Sequence, residues 1–577
     1  MRSPRARALL SVALSGCLCA AGASLGAAGP AATCAALVPW IVALERARTW
    51  RAAAGLAALM AAVFVVAVFP WFPGAVARYS GGSTGLIWAL FVLGSPVLAP
   101  QLFAFALVRW TVLHGARAGR PAGAGDRVRA AIAACGAFVA ADVFFPKLFF
   151  DTLGIGLSPS SLLRQGADIA GVHGLTVLAL AVNVLLAEAV LRAVPSLADS
   201  ISDEDTKSAQ TPRDPTSGPW PRRAAAPAGA ALALLAVAAL YGAVRTGGFH
   251  DVDPERTILV GAVQANLTAY DKLRAEQGAA GAMAAILDRH VGMSRELLGD
   301  GPVHVLVWPE TVYPTTFGTP KGEGAKVFED ALRDFVAASG VPLVFGAYEA
   351  DGDREHNAMF FAQPGDRGLA VESYRKRMLF PLTEWVPEAI DSPWLRRTLP
   401  WTGRWSRGPG PRTVKLGVPG QPAVSVLPLV CYDAVVPDHV AAGAALGADM
   451  IVTISNDAWF PSERAAELHL ASAALRSVET RLPQVRVTVS GISALILPAG
   501  DIPARSGWET AAKMRVEVPL FARAAPPARW LAPWLGPVAG LAALALIADA
   551  VRRARGARAV NPGSATPGSR ERRRKKR

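Results

Sequence analysis

The sequence predicts an α-helical membrane domain of about eight spanning helices joined to an α/β domain. Of its 577 residues, 52% are hydrophobic and 18% are charged, which is too apolar for an ordinary soluble protein. Residues 246–526 differ, because strand-like and helix-like patterns alternate there without a spanning segment. We therefore predict a membrane domain at 1–245, an α/β domain at 246–526, an eighth spanning helix at 527–551 and a basic tail at 552–577.

Seven apolar segments precede the α/β domain and one follows it. Most are near the ~20 residues that a helix needs to cross a bilayer, although the second is short. The segments are 8–29, 31–44, 53–72, 85–108, 130–149, 171–191, 224–245 and 530–550. Residues 195–221 are rich in Ser, Asp, Thr and Pro, which predicts a flexible linker.

Basic residues are concentrated in the loops that share a side with the N-terminus, and in the tail, which ends in RERRRKKR. The short loops on the other side hold only Arg78, Lys147 and Arg164. This distribution follows the positive-inside rule and predicts that both termini are cytoplasmic. The α/β domain then lies on the periplasmic, outer face of the cytoplasmic (inner) membrane. The net charge of +14 indicates contact with anionic lipid, not with nucleic acid.

Cys431 is the only cysteine of the α/β domain, so that domain cannot form an internal disulfide. The other four, Cys17, Cys19, Cys34 and Cys135, lie in apolar N-terminal segments. The sequence LSGC, which ends at Cys17, is similar to a lipoprotein signal. Because the apolar run continues beyond Cys19, we interpret it as part of a first spanning helix.

Three stretches of the α/β domain place a reactive side chain directly after an apolar strand. They are VLVWPETVYP with Glu310, ESYRKRMLFPLTEWVP with Lys376 and Glu384, and LVCYD with Cys431. A cysteine can attack a carbonyl and form a thioester, and a carboxylate can take the thiol proton. An ammonium group can stabilise the oxyanion that develops. Together the three stretches predict an acyl-transfer site that needs no cofactor.

Each of these positions, taken alone, also has a structural explanation. Cys431 can pack in the core, Glu310 can belong to a turn, and Lys376 can lie in a solvated basic turn. Asp457 in ISNDAWF can cap the next helix. We interpret four histidines of the domain as polar or packing residues, and no spacing predicts a metal site. They are His304, His356, His439 and His469.

In their chain order, WPE, Y-x-K-x-x-L-x-P-x-x-E-W-V-P, CYD and ISNDAWF resemble the nitrilase superfamily with its Glu–Lys–Cys triad. The spanning segments on both sides narrow the resemblance to the bacterial apolipoprotein N-acyltransferases. QGADIAGVHGLTVLALAVNVLLAE at 165–188 and WSRG at 405–408 are also similar to that family. The resemblance implies an αββα sandwich for the α/β domain, and it covers nearly the whole chain except the linker and the tail.

The resemblance also implies a role for each matching residue. Glu310 would be the general base, Lys376 the oxyanion-stabilising group and Cys431 the nucleophile. Four further residues would support the active site: Asn357, Glu384, Tyr432 and Asp433. The chain departs from the family pattern at Asp433, where many members have glutamate. It departs again where Tyr270 follows the first strand without a tryptophan, and where Val489 and Ser490 replace an asparagine-containing segment.

The function that this resemblance implies is the last step of lipoprotein maturation. Cys431 would take an acyl chain from a membrane phospholipid as a thioester and pass it to the α-amine of a diacylglyceryl-cysteine on an apolipoprotein. We expect a membrane-bound monomer with no nucleic-acid partner and no cofactor. One alternative is a membrane-tethered amidase or nitrilase acting on a small amide, although a tether needs only one span. The other is an inactive membrane assembly protein, against which the intact triad argues.

Overall fold

A computed structural model describes residues 4–117, 123–145, 147, 153–194, 220–250, 252–268, 270–365 and 368–560. Residues 195–219 of the predicted linker and residues 561–577 of the predicted tail lie outside the described residues. Within that part of the chain, helices dominate up to residue 250, two sheets follow, and one long helix closes the fold.

Eleven α-helices precede the first strand in the described residues. They are α1 (Pro4–Ala23), α2 (Gly29–Ala35), α3 (Val38–Leu44), α4 (Trp50–Val68), α5 (Phe72–Ser80), α6 (Thr84–Leu93), α7 (Ser95–Leu98), α8 (Pro100–Arg117), α9 (Ala124–Phe144), α10 (Ala167–Ala193) and α11 (Trp220–His250). Five described helices are long and apolar enough to cross a membrane, and they match the predicted first, third, sixth, seventh and eighth segments. These five are Arg5–Ala23, Trp50–Val68, Leu163–Ala193, Ala224–Gly248 and Ala528–Gly556.

Two predicted spans are not continuous helices. The segment 31–44 forms the short helices α2 and α3, and the segment 85–108 is divided among α6, α7 and α8. Prolines account for both interruptions, because Pro39 lies at the start of α3 and Pro96 at the start of α7. The count of eight spans therefore stays a prediction, whereas an N-terminal region of several apolar helices is confirmed.

The α/β domain contains thirteen strands and five helices in the described residues, and α17 (Ala528–Val560) follows them. Its helices are α12 (Tyr270–Gly299), α13 (Glu323–Ser339), α14 (Pro393–Thr398), α15 (Pro437–Ala444) and α16 (Glu463–Thr480). Its strands are β1 (Arg256–Gln264), β2 (Val305–Val307), β3 (Tyr313–Thr316), β4 (Leu343–Asp351), β5 (Arg354–Gly365), β6 (Gly368–Arg375), β7 (Val414–Val418), β8 (Gln421–Val430), β9 (Met450–Ser455), β10 (Gln484–Thr488), β11 (Ala494–Ile496), β12 (Ala504–Arg505) and β13 (Ala512–Leu520).

The strands form two sheets that pack face to face. One has the order β13-β1-β2-β4-β5-β6, with β3 paired to β4, and the other has the order β12-β11-β10-β9-β8-β7. Apolar residues of both sheets meet in one core, among them Val260 and Val344 from the first and Val426 and Val452 from the second. Helices α12 and α13 cover the outer face of the first sheet, and α15 lies on the second. The predicted αββα sandwich is confirmed.

The α/β domain contacts the membrane helices through buried polar pairs. Helix α10 is broken at Gly171 (φ +68°), and the backbone N–H of Val172 donates to Glu479 Oε1 at 2.7 Å. Just before that break, Asp168 Oδ2 accepts hydrogen bonds at 3.1 and 2.5 Å from Nε and Nη2 of Arg481. Both side chains of the Asp168–Arg481 pair are fully buried. A buried pair of this kind is costly to break, so it fixes α10 against the end of α16.

Candidate active site

The predicted catalytic residues all follow strand ends of the sandwich. Glu310 comes shortly after β2, Lys376 directly after β6, and Cys431 directly after β8. The parallel pairing of β8 and β9 brings Asn456, which follows β9, to the same edge as Cys431. Side chains that leave strand ends at one edge of a sandwich meet there, as they do in many α/β folds.

Glu310 and Lys376 lie in a buried network with Asn357 and Glu384. Lys376 Nζ is 3.4 Å from Glu310 Oε1 and 2.8 Å from Glu384 Oε1. Asn357 Nδ2 donates to the same two oxygens, at 2.6 Å to Glu310 and 3.2 Å to Glu384. The second oxygen of Glu310 accepts from the backbone N–H of Asn456 at 2.6 Å. Each carboxylate is thus held at more than one point, which restricts both rotamers.

The carboxylates of Glu310 and Glu384 and the ammonium of Lys376 influence one another's pKa values. Burial raises the pKa of Glu310, and Glu384 adds to this effect while Lys376 opposes it. For Lys376, burial acts to lower the pKa, but Glu310 and Glu384 outweigh burial and hold it well above its usual value. Lys376 is therefore protonated at neutral pH, and Glu310 is a stronger base than an exposed glutamate.

Cys431 occupies a strained backbone position beside this network. Its φ is +48°, in the left-handed region that residues with a side chain rarely adopt, and it opens a short 3₁₀ turn, Cys431–Val435. Desolvation and the Glu310 carboxylate raise the pKa of its thiol, whereas Lys376 lowers it. Because the net direction is upward, the thiol is protonated at neutral pH and needs a base before it can act as a nucleophile.

Asp433 anchors the loop that carries Lys376 to the turn that carries Cys431. Its Oδ1 accepts from the backbone N–H of Met378 at 2.7 Å, and its Oδ2 accepts from that of Val430 at 3.0 Å. The hydroxyl of Tyr374 also donates to Oδ2, at 3.0 Å. Asp433 is fully buried and does not cap α15, since these bonds occupy both of its oxygens. Asp433 therefore fixes the position of the Lys376 loop relative to the Cys431 turn.

Tyr432 links the nucleophile turn to the membrane helices. Its ring packs edge-on against Phe380 with centroids 5.1 Å apart, and its hydroxyl donates to the backbone carbonyl of Lys147 at 3.3 Å. The amine of Lys147 pairs with Asp142, near the end of α9. The residue after the cysteine is thereby connected to the C-terminal end of α9.

The WSRG stretch is hydrogen bonded to the backbone of Lys376 and Glu384. The N–H of Gly408 donates to the carbonyl of Lys376 at 2.8 Å, and the N–H of Trp405 donates to the carbonyl of Glu384 at 3.1 Å. A Cβ on Gly408 would lie 2.1 Å from the carbonyl oxygen of Arg375. Only glycine permits this close approach, which explains the residue at this position.

Sequence reasoning missed a second polar cluster next to Cys431. A helix cap is the structural explanation offered above for Asp457, and His469 is interpreted there as a polar or packing residue. Instead the helix begins after Ser462, and Asp457 is buried with Arg486 Nη2 2.7 Å from its Oδ2. One potential ligand atom each from Cys431, Asp457 and His469 lies within 4.8 Å of the others. Arg486 already supplies the cation there, so this trio does not favour a metal ion.

Comparisons with known proteins support the two-part organisation. Residues 259–521 match the family described as carbon-nitrogen hydrolase, and residues 15–185 match the apolipoprotein N-acyltransferase N-terminal domain. Together they confirm the resemblance predicted from the sequence. The chain joins an N-terminal domain of the apolipoprotein N-acyltransferase type to a domain of the nitrilase superfamily.

Curated relatives carry the name apolipoprotein N-acyltransferase. One from Bdellovibrio bacteriovorus is 30% identical over 42% of this chain and 45% of its own length. One from Azotobacter vinelandii is 33% identical over 54% and 56%. One from Bradyrhizobium diazoefficiens is 28% identical over 70% and 69%. The chain spans about half the length of the first two relatives.

The solved structures that match the chain are more distant. Nit3 of Saccharomyces cerevisiae, a nitrilase-superfamily member, is 18% identical with a TM-score of 0.34, covering 46% of this chain and 91% of that one. A carbon-nitrogen hydrolase from Helicobacter pylori G27 is 14% identical with a TM-score of 0.33, covering 53% and 93%.

Proposed function

We propose that this chain, whose two domains place it in the apolipoprotein N-acyltransferase family, moves a fatty acyl chain from a membrane phospholipid to the α-amine of a diacylglyceryl-cysteine on an apolipoprotein. The observation that carries the proposal is the buried Glu310–Lys376–Glu384 network beside Cys431, in a domain flanked by apolar helices. The network supplies a base and a cation, and Cys431 supplies the nucleophile; these are the groups that acyl transfer requires.

In the first half-reaction, Glu310 takes the thiol proton as Cys431 Sγ attacks the ester carbonyl of the phospholipid. Lys376 stabilises the oxyanion of the tetrahedral intermediate, as it is protonated and fixed by two carboxylates. The carbonyl re-forms and the C–O bond breaks. Glu310 then gives its proton to the departing oxygen, which releases a lysophospholipid and leaves a thioester on Cys431.

In the second half-reaction, the free α-amine of the acceptor attacks the thioester carbonyl. Glu310 accepts a proton from the amine, and the C–S bond breaks to give an amide. The proton then returns to the Cys431 sulfur, so the resting site is restored. Asn357 and Glu384 hold Glu310 and Lys376 in place through both steps. Asn357 Nδ2 donates to Oε1 of Glu310 and to Oε1 of Glu384, and Glu384 Oε1 also accepts from Lys376 Nζ.

The placement of the domains suits substrates that are both anchored in lipid. The α/β domain is joined to apolar helices at both ends and packed on α10, which keeps its site close to the bilayer. We propose that residues 246–526 lie on the periplasmic face of the inner membrane, with both termini cytoplasmic and the chain monomeric. Protease protection in intact spheroplasts tests this topology: cleavage within 246–526, with the C-terminal tail protected, is expected.

A phospholipid labelled in its acyl chains tests the chemistry. Purified full-length protein in mixed micelles should form a labelled adduct that hydroxylamine removes, because hydroxylamine cleaves thioesters. Cys431→Ala should not form it, whereas Cys135→Ala, which changes a cysteine of α9, should form it as the native chain does. Absence of the adduct from the native chain would refute the proposal.

The acceptor is tested in a second step. A diacylated lipopeptide with a free N-terminus should discharge the adduct, whereas the same lipopeptide with an acetylated N-terminus should not. An adduct that persists with the free lipopeptide would show that the acceptor is a different molecule. Hydrolysis of small amides without lipid would instead favour the amidase reading.

A further inference from the structure

Four further polar side chains form a buried cluster beside Cys431. They are Ser455 at the end of β9, Asp457 just after it, His469 on α16 and Arg486 on β10. The proposed mechanism does not use any of them. Burying a carboxylate, a guanidinium and an imidazole together is costly, and such groups concentrate near functional sites.

Asp457 is the centre of this cluster. Its Oδ1 accepts a hydrogen bond of 2.6 Å from the hydroxyl of Ser455, and its Oδ2 accepts one of 2.7 Å from Arg486 Nη2. Gly491 leaves room for the carboxylate, since a Cβ at that position would lie 2.3 Å from Oδ2. Burial acts to raise the pKa of Asp457, but Arg486, His469 and the hydrogen bond from Ser455 together outweigh burial, so the net pKa is lowered and Asp457 is ionised.

His469 joins the cluster to the backbone of Cys431. Its Nδ1 lies 2.9 Å from Arg486 Nη2 and 3.1 Å from Asp457 Oδ1, and the imidazole is hydrogen bonded to the backbone of Cys431. Burial lowers the pKa of His469, and Arg486 adds to this, so the ring is neutral and carries a single N–H. We assign that N–H to Nε2, toward the Cys431 carbonyl, as part of the proposal; Nδ1 then accepts from Arg486, and its contact with Asp457 Oδ1 is not a hydrogen bond.

Ser455 joins the cluster to the sulfur of Cys431. Its hydroxyl hydrogen bonds with the thiol while donating to Asp457. A hydroxyl rotates freely between acceptors, so it can turn from Asp457 to the sulfur once a thiolate forms. Cys431 is therefore contacted at two atoms, its carbonyl by His469 and its sulfur by Ser455.

We propose that Asp457 and Arg486 orient His469 and Ser455 as positioning residues, which hold the strained Cys431 backbone in its reactive conformation and stabilise its thiolate. This inference rests on the proposed role of Cys431 as the nucleophile. A left-handed backbone on a residue with a side chain persists only where its surroundings fix it. The bond from His469 to the Cys431 carbonyl supplies that restraint from α16.

Two substitutions at His469 separate this role from simple packing. His469→Gln can place an N–H at the position of Nε2 and keep the bond to the Cys431 carbonyl. His469→Asn places its amide near the position of Nδ1, where it meets Arg486 and Asp457 but does not reach the carbonyl. Both remove the ring, so a packing role would affect them alike. His290→Gln is the matched control, since it replaces another buried histidine, on α12.

The measurement is the rate at which iodoacetamide alkylates Cys431 in the solubilised full-length protein, followed peptide by peptide across neutral and alkaline pH. His469→Gln and His290→Gln should react like the native chain, and His469→Asn about tenfold more slowly, the effect of one lost hydrogen bond. Ser455→Ala should move the midpoint of the pH profile upward. The thiol also faces Glu310, Lys376 and Asp457, which these variants leave in place.

Equal rates for the native chain and both His469 variants would overturn the proposal, as would equal slowing of the two variants. If His469→Asn does not fold, Ser455→Ala tests the proposal by itself. An unchanged midpoint of the alkylation pH profile in Ser455→Ala also overturns the proposal. Alkylation needs no lipid, so these outcomes are independent of the acyl-transfer assay. A native chain that shows this profile but forms no lipid adduct would refute the proposed function and leave the positioning roles standing.

Discussion

Replacing Asp433 with alanine tests whether this carboxylate positions both Lys376 and Cys431. The change leaves the backbone N–H groups of Met378 and Val430, at 2.7 and 3.0 Å, without their acceptor. An orphaned buried donor costs about 1–3 kcal/mol, so the two together cost about 4 kcal/mol. The hydroxyl of Tyr374 adds little, because His439 Nε2 lies 2.9 Å away as a second acceptor.

Hydrogen exchange followed by mass spectrometry measures this loss directly. A cost of about 4 kcal/mol corresponds to roughly a thousandfold loss of protection at the amides of Val430 and Met378. Tyr374→Phe is the matched control, because it removes one bond to Asp433 and leaves both backbone donors paired. The thioester adduct should also fall in Asp433→Ala, by about 100-fold, as Lys376 and Cys431 lose their relative position. Unchanged protection at both amides together with a normal adduct would refute the reasoning.

Three further predictions concern the base and the domain contact. Gly346→Ala should lower the rate of adduct formation about 100-fold, since its Cβ would lie 2.5 Å from the Cα of Glu310; normal kinetics would contradict this contact. Because burial raises the pKa of Glu310, the rate should fall with acid through a midpoint above the ordinary 4.5, and a midpoint at or below 4.5 would argue against Glu310 as the base. Arg481→Ala should destabilise the chain by about 3 kcal/mol in thermal or denaturant unfolding, the low end for a broken buried pair, because Asp168 keeps Arg245 as a second cation. Arg412→Ala, which breaks an exposed pair with Glu372, should change the free energy of unfolding by less than about 1 kcal/mol.

Sequence patterns predicted the alternating strands and helices of the α/β domain well, because period and composition determine them locally, whereas the sandwich was implied by the family resemblance. The apolar run that ends at Val430, for example, forms β8 and delivers Cys431 to a turn, as its pattern indicates. The membrane helices were less predictable. Apolar content marked 31–44 as a span, but Pro39 divides that stretch, and hydropathy alone does not register a break of this kind.

The supporting residues were predicted only where a motif named them. Glu384 and Asn357 belong to recognisable stretches, and the structure places both against Glu310 and Lys376. His469 carries no such signal, since it is twelve residues from Asp457 along the chain and its contacts depend on how α16 crosses the sheet. This buried cluster is assembled from β9, α16 and β10, so it can be recognised only once the pairing of the strands is known.

The charges around Cys431 explain why the resting site needs its substrate to react. Glu310 and Asp457 both disfavour the thiolate and Lys376 favours it, so the thiol of the free chain keeps its proton. In the proposed mechanism, an ester carbonyl next to Lys376 develops negative charge only as the sulfur attacks, and that charge then lies beside a fixed ammonium. Transfer of the Cys431 thiol proton to Glu310 is therefore favourable when it accompanies the attack of the sulfur on the ester, and unfavourable before that attack. A protonated thiol is also less open to oxidation and stray alkylation.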